Sequence, residues 1–133
     1  MECLFCNIVK GSQQSFRVWE NTDFIVFLDI NPINRGHLLL ITKQHFEDVF
    51  SISEVLYSKM FIVAKEVSNI LRKAVKSKRV GLAIEGFGVP HVHIHLVPVN
   101  NGNELNPLRA KPASAEDLGD MQKILIKQLA EII

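Results

Sequence analysis

The stretch His91-Val92-His93-Ile94-His95-Leu96-Val97-Pro98-Val99 alternates polar and apolar residues with a period of two, the pattern of a β-strand with two different faces. Side chains alternate across a strand, so His91, His93 and His95 share one face and Val92, Ile94 and Leu96 share the other. The apolar face packs on a core and anchors the strand. The histidine face looks into a site, with neighbours two apart separated by about 6.6 Å along the strand.

Working outward, Arg79 to Glu85 reads as a second strand, joined to the first by the loop Gly86-Phe87-Gly88-Val89-Pro90. A long helix precedes it. Leu56, Met60, Val63, Val67, Ile70 and Ala74 fall at helical intervals, and Ser51 stands three residues before Glu54, a capping-box spacing. Lys73, Lys76 and Lys78 crowd the helix exit, where positive charge suits the dipole. Further upstream, Asp23 to Ile30 and His37 to Thr42 read as strands around the turn Asn31-Pro32-Ile33-Asn34-Arg35-Gly36. Downstream, Asn100 to Pro112 is rich in Asn, Gly and Pro and reads as irregular. An amphipathic helix runs from Ser114 or Ala115 to the end, with Leu118, Met121, Ile124, Leu125, Leu129 and Ile132 near one face. Strands that come in pairs around a helix, without strict βαβ alternation, predict an α+β fold with a mainly antiparallel sheet.

The chain has 133 residues, 47% of them apolar, which suits one domain spanning 1–133 with a real core. The net charge is +1 with both signs interspersed, so duplex nucleic acid is not the expected partner, while small anions remain open. No apolar run reaches the ~18–20 residues needed to span a bilayer, so no membrane association is expected. The N-terminal residues lack the basic and apolar regions of a signal peptide, and a cytoplasmic protein is the expectation. In that compartment Cys3 and Cys6 are reduced thiols, metal ligands or redox groups rather than a structural disulfide.

Three histidines at alternate positions, in a chain with five, admit three readings. They are a chance polar face, a metal site built on H-x-H, or a nucleophilic centre, since a neutral imidazole is a good nucleophile near neutral pH. Cys3-x-x-Cys6 has a spacing common in zinc sites but needs two more ligands, and a redox pair competes with it. Asp29, just before Asn31-Pro32, is either a turn cap or a carboxylate available to a ligand's hydroxyl groups.

The string His91 to Val97 resembles the signature of the histidine-triad (HIT) family. So do Phe27-Leu28-Asp29-Ile30-Asn31-Pro32, Gly36-His37-Leu38-Leu39-Leu40-Ile41 and Lys43-Gln44-His45, in order and spacing. Cys3-Leu4-Phe5-Cys6-Asn7-Ile8-Val9 resembles the N-terminus of its zinc-containing, Hint-like bacterial members, so the match covers roughly residues 3 to 99. The expected fold is a sheet of about five antiparallel strands with one long central helix and a C-terminal helix over about 114–133; the resemblance implies nothing for the C-terminal third and adds a homodimer that joins two sheets. It implies hydrolysis of nucleoside 5′-phosphoramidates or related nucleotidyl-linked substrates, dinucleoside polyphosphates included, with a purine base. His93 falls on the family nucleophile and His95 on the residue that contacts the phosphate and scissile bridge. Asp29 falls on the ribose-binding acid, and Phe5, Ile8, Leu28 and Ile30 match the apolar base pocket. His45 and His91 complete an S2N2 set with Cys3 and Cys6 for one structural Zn2+. His37 receives no role and is expected as a partly exposed residue at the start of a strand.

The chain departs from the family pattern before the triad. Phe87 stands where Gln is usual and Gly88 where a hydroxyl residue is usual. Main-chain N–H groups around Gly86 and Gly88 are the donors left to a phosphate there. Two readings from other classes therefore stand beside the hydrolase: a non-catalytic nucleotide-binding or zinc-stabilised interaction module, and a hydrolase with a metal on the histidine row.

Overall fold

The computed structural model describes residues 3–132. The elements run α1 (Leu4–Lys10), β1 (Arg17–Glu20), β2 (Phe24–Leu28), β3 (Leu38–Thr42), a 3-10 turn (Val49–Ser51), α2 (Glu54–Val75), β4 (Arg79–Ala83), β5 (His93–Val99), a second 3-10 turn (Pro107–Arg109) and α3 (Ala115–Leu129). The strands form one five-stranded sheet in the order β1-β2-β3-β5-β4, every neighbouring pair antiparallel. The α+β class, the antiparallel sheet, the long central helix and the C-terminal helix agree with the sequence.

Each central strand is buried on both faces, which explains why β2 and β3 read as nearly continuous apolar runs. On one face Phe24, Val26, Leu28, Leu38, Leu40, Ile94 and Leu96 pack against Met60, Val63, Ala64, Val67 and Leu71 of α2 and Leu118, Met121, Leu125 and Leu129 of α3. On the other face Ile25, Phe27, Leu39 and Ile41 pack against Phe5 and Ile8 of α1. The alternation read over 91–99 is kept although β5 starts at His93: Val92 just before the strand and Ile94 and Leu96 within it enter the helix-side core, while His91 and His93 face Phe5 of α1.

Three local readings are corrected. The cap of α2 is Ser53, whose Oγ accepts from the Leu56 amide at 3.2 Å. Ser51 instead donates to Asp48, which caps the preceding 3-10 turn. Ile124 is 43% exposed, because the buried face of α3 follows Leu118, Met121, Leu125 and Leu129. Strand β1 and helix α1 have no counterpart among the expected elements. Both are short, and α1 depends on terminal devices: Cys3 Sγ accepts at the N-cap, and Gly11 at φ 85° closes the C-terminus.

Ser53→Ala should lower stability by about 1 kcal/mol, the usual cost of a lost N-cap. Ser51→Ala should cost less than about 0.5 kcal/mol, as for an exposed surface position. Urea denaturation of both variants checks the assignment, and a larger loss in Ser51→Ala would contradict it.

Candidate functional site

The sheet register builds the site. Across β3 and β5, Leu39 faces His95 and Ile41 faces His93. Across β2 and β3, Ile25 faces Ile41 and Phe27 faces Leu39. The histidines therefore continue an apolar floor, and α1 lies over it. The Phe5 ring stands edge-on to Phe27 at 5.6 Å and to His93 at 5.1 Å. Such T-shaped pairs restrict ring orientation as well as bury area.

Hydrogen bonds set the tautomers. His93 Nδ1 lies 2.6 Å from the main-chain oxygen of His91. A carbonyl only accepts, so Nδ1 carries the proton and Nε2 keeps a bare lone pair. His91 Nε2 lies 2.7 Å from the Thr42 carbonyl, so here the proton is on Nε2 and Nδ1 is bare. Two histidines two residues apart are thus held in opposite tautomers.

His37 is the residue that sequence reasoning passed over. It is 1% exposed, not a half-exposed strand-start residue. Its Nδ1 accepts the Ile33 amide at 3.0 Å, which puts its proton on Nε2, and that nitrogen lies 2.9 Å from His95 Nδ1. His95 is then the Nε2–H tautomer, a donor on the side away from His37. Asp29 Oδ2 lies 3.6 Å from His37 Nε2. These three residues converge closely enough to hold a cation, but the proton on His37 Nε2 makes the group a hydrogen-bonded relay. Burial holds His37 down to about 3 and His95 to about 4, in each case with a further lowering by the next histidine, so both are neutral near pH 7. Burial raises Asp29, against the Asn31 amide and His93. Its Oδ1 accepts that amide at 2.8 Å, so Asp29 caps the turn with one oxygen and also lines the cleft.

A cleft of about 330 Å3 opens between α1, the end of β2 and the loop before β5. Phe5, Ile8, Leu28, Asp29, Ile30, Gly88, His93 and His95, all singled out from the sequence, line it. Leu28 sends its side chain to the helix-side core, and Ile30 is a 57% exposed rim residue. Gly86 lines a neighbouring cavity with Glu47, Asp48 and Glu85, which meets the first at His93. Phe87 is 82% exposed at the cleft rim, between two glycines with φ near +80°.

Beside the cleft, Cys3, Cys6, His45 and His91 bring one donor atom each to within 4.8 Å of one another. Cys3 Sγ and Cys6 Sγ each lie 3.5 Å from His91 Nδ1, and Cys6 Sγ lies 3.2 Å from His45 Nδ1. The His91 tautomer leaves the correct nitrogen free, and the outer nitrogen of His45 faces Glu47 at 3.6 Å. Metal-bound histidines commonly have such outer partners. Burial, with the neighbouring Cys3, pushes the Cys6 thiol up, which disfavours its thiolate until a cation joins it. Two soft sulfurs and two imidazoles match a tetrahedral zinc-type ion, so the residues present fit one.

The quartet also bears on how α1 is held. Burying Phe5 and Ile8 contributes about 1.5–3 kcal/mol each. Ordering a segment costs about 1–2 kcal/mol per residue, and α1 has seven residues. An isolated helix this short is not stable, so its position rests on its contacts and tethers.

The HIT domain model matches residues 10–102. The chain belongs to the HIT family. A HIT-like protein of Mycoplasma genitalium is 36% identical over 72% of this chain and 72% of its own. The adenosine 5′-monophosphoramidase of Candida albicans is 32% identical over 98% and 93%. The structure is similar to that of a zinc-bound histidine triad family protein from Mycobacterium smegmatis, with TM-score 0.84, 30% identity and coverage of 99% and 96%. It is also similar to a hypothetical histidine triad nucleotide-binding protein from Sulfolobus tokodaii, with TM-score 0.86, 28% identity and coverage of 98% and 93%.

The buried neutral histidines make the HIT fold acid-sensitive. The unfolded chain binds a proton at His37 and at His95 near 6.5, whereas the folded chain resists until about 3 and about 4. Stability is therefore full above 6.5 and falls as pH drops, by up to about 1.4 kcal/mol per pH unit for each histidine. His37→Asn should make the decline between pH 6.5 and 4.5 shallower in urea unfolding. An unchanged slope would contradict the burial of a neutral His37.

Proposed function

We propose that this HIT protein hydrolyses nucleoside 5′-phosphoramidates or related nucleotidyl-linked substrates, with a purine base, through a nucleotidyl intermediate on His93. The bare Nε2 of His93 at the cleft, enforced by the bond from Nδ1–H to the His91 carbonyl, carries this reading. The similarity to an adenosine 5′-monophosphoramidase supports the choice of substrate class.

In this reaction Nε2 of His93 forms a bond to the α-phosphorus while the bond from phosphorus to the leaving nitrogen breaks. The nitrogen keeps the electron pair and takes a proton from solvent, while His95, neutral near pH 7, donates its Nε2–H as a hydrogen bond to the phosphate and the scissile bridge. The positive charge that develops on the imidazole of His93 is stabilised by the His91 carbonyl. Water then cleaves the phosphorus–His93 bond, giving the nucleoside monophosphate and returning the protons. Asp29 accepts from the ribose hydroxyls, Phe5 and Ile8 wall the base and Ile30 stands at the rim, while Leu28, turned to the helix-side core, contributes no side chain to the pocket. Gly88 offers a main-chain donor to the phosphate, with Gly86 beside it.

Cys3, Cys6, His45 and His91 would hold one structural Zn2+, which neutralises the two thiolates and ties α1 to the start of β5. A homodimer joined along β4 accords with the exposed Leu82 on that edge strand and with Val55 and Ile62 on α2. The second reading, a nucleotide-binding module without turnover, is favoured by Phe87 and Gly88, which supply no polar side chain at the rim.

Single-turnover incubation with adenosine 5′-phosphoramidate, followed by intact-mass analysis, tests the proposal. Wild type should release AMP and carry a transient nucleotidyl mass, and His93→Ala should do neither. AMP binding without turnover or adduct would move the assignment to the binding module. Turnover without adduct, abolished by chelator, would point to metal hydrolysis. In a parallel test, metal analysis should find one zinc per chain in wild type and a large loss in Cys6→Ser and His45→Ala.

A further inference from the structure

We infer that the Cys3, Cys6, His45 and His91 quartet positions the nucleotide cleft, so that a zinc ion and a nucleotide bind this protein cooperatively. The inference rests on the nucleotide reading above and adds a coupling between two sites.

Two connections carry it. The first is α1. Cys3 caps this helix and Cys6 lies in its first turns, while Phe5 and Ile8 of the same helix form one wall of the cleft. A seven-residue helix cannot move its thiols without moving that wall. The second is His91. Its side chain offers Nδ1 to the quartet and fixes Nε2 on Thr42, while its own carbonyl holds the His93 imidazole. Phe5 joins the two connections, since its ring meets both His91 at 5.9 Å and His93 at 5.1 Å.

Other ties of α1 include its apolar contacts with Ile25, Phe27, Leu39 and Ile41, the Arg17 guanidinium on the Ile8 carbonyl, and the Ser12 and Gln13 amides on the Asn7 carbonyl. They connect the C-terminal half and the underside of the helix. Among the described residues, the quartet ties its N-terminal end to His45 and His91. A cation there restricts α1 to the cleft-forming position, and a nucleotide pressed against Phe5 and Ile8 restricts it to the same position. Each ligand thereby lowers the ordering cost of the other, and the two effects are equal by linkage.

The test uses the full chain in zinc-loaded and chelated forms, with AMP titrated into each by calorimetry. Zinc should tighten AMP binding on the order of tenfold. AMP should tighten zinc binding by the same factor, measured by competition with a chromophoric chelator. Ile8→Ala, which trims the cleft wall and leaves every ligand in place, should shrink that factor while zinc still binds. Equal AMP affinity in the two forms would overturn the inference. So would an undiminished factor in Ile8→Ala, the absence of zinc or AMP binding by wild type, or global unfolding of the chelated protein by circular dichroism. Coupled binding without turnover would sink the hydrolase reading alone, and turnover indifferent to zinc would sink the coupling alone.

Discussion

The bond from His93 Nδ1–H to the His91 carbonyl, 2.6 Å long, is the interaction on which the rest of the site depends. It spends one nitrogen of the imidazole on the main chain and so decides where the other lone pair lies. That bond has the correct direction only because His91 is itself held: its Nε2–H reaches Thr42 across the end of β3, and Phe5 packs on the ring. The Val92 amide, between the two histidines, is bonded to the Phe46 carbonyl. His91, which takes no part in the proposed bond-making, therefore sets the tautomer of the next histidine.

The same logic runs along the row. His93 presents a bare Nε2, His95 an Nε2–H and His91 a bare Nδ1, although all three are imidazoles on one face of one segment. The differences come from what lies behind each ring: a carbonyl behind His93, another behind His91, and the N–H of His37 behind His95. Desolvation by burial lowers His91 and His95 and favours the neutral form of these two rings on either side of His93. The sheet supplies the rigidity, because its opposite face is filled by α2 and α3 and cannot shift without opening the main core.

Much of this was legible in the sequence, and the parts that were not have physical reasons. The period-two pattern of residues 91–99 announces both faces of β5, although the strand starts only at His93, and the CxxC with the two histidines that the family resemblance implies marks a metal-type cluster that the fold brings together. His37 was illegible because its importance lies in the register of β3 against β5. Leu39 faces His95, so His37 lies diagonally across from that ring, and no local pattern states this pairing. The helix α1 was illegible because seven residues give too little periodicity to separate from a tail; Phe5 and Ile8 acquire their meaning from the floor beneath them. Ser51 looked like the cap of α2 because Glu54 follows at the right spacing, yet the 3-10 turn at Val49–Ser51 delays the helix and gives the role to Ser53.

The central claim is that the fold assigns each histidine its tautomer before any substrate arrives. Nitrogen-detected NMR of the histidine side chains in the free, zinc-loaded protein at pH 7 reads this directly, through the two-bond couplings that distinguish a protonated from a bare ring nitrogen. The account predicts the proton on Nδ1 for His93 and on Nε2 for His91, His37 and His95. A proton on Nε2 of His93 would leave the proposed nucleophile blocked and would contradict the account.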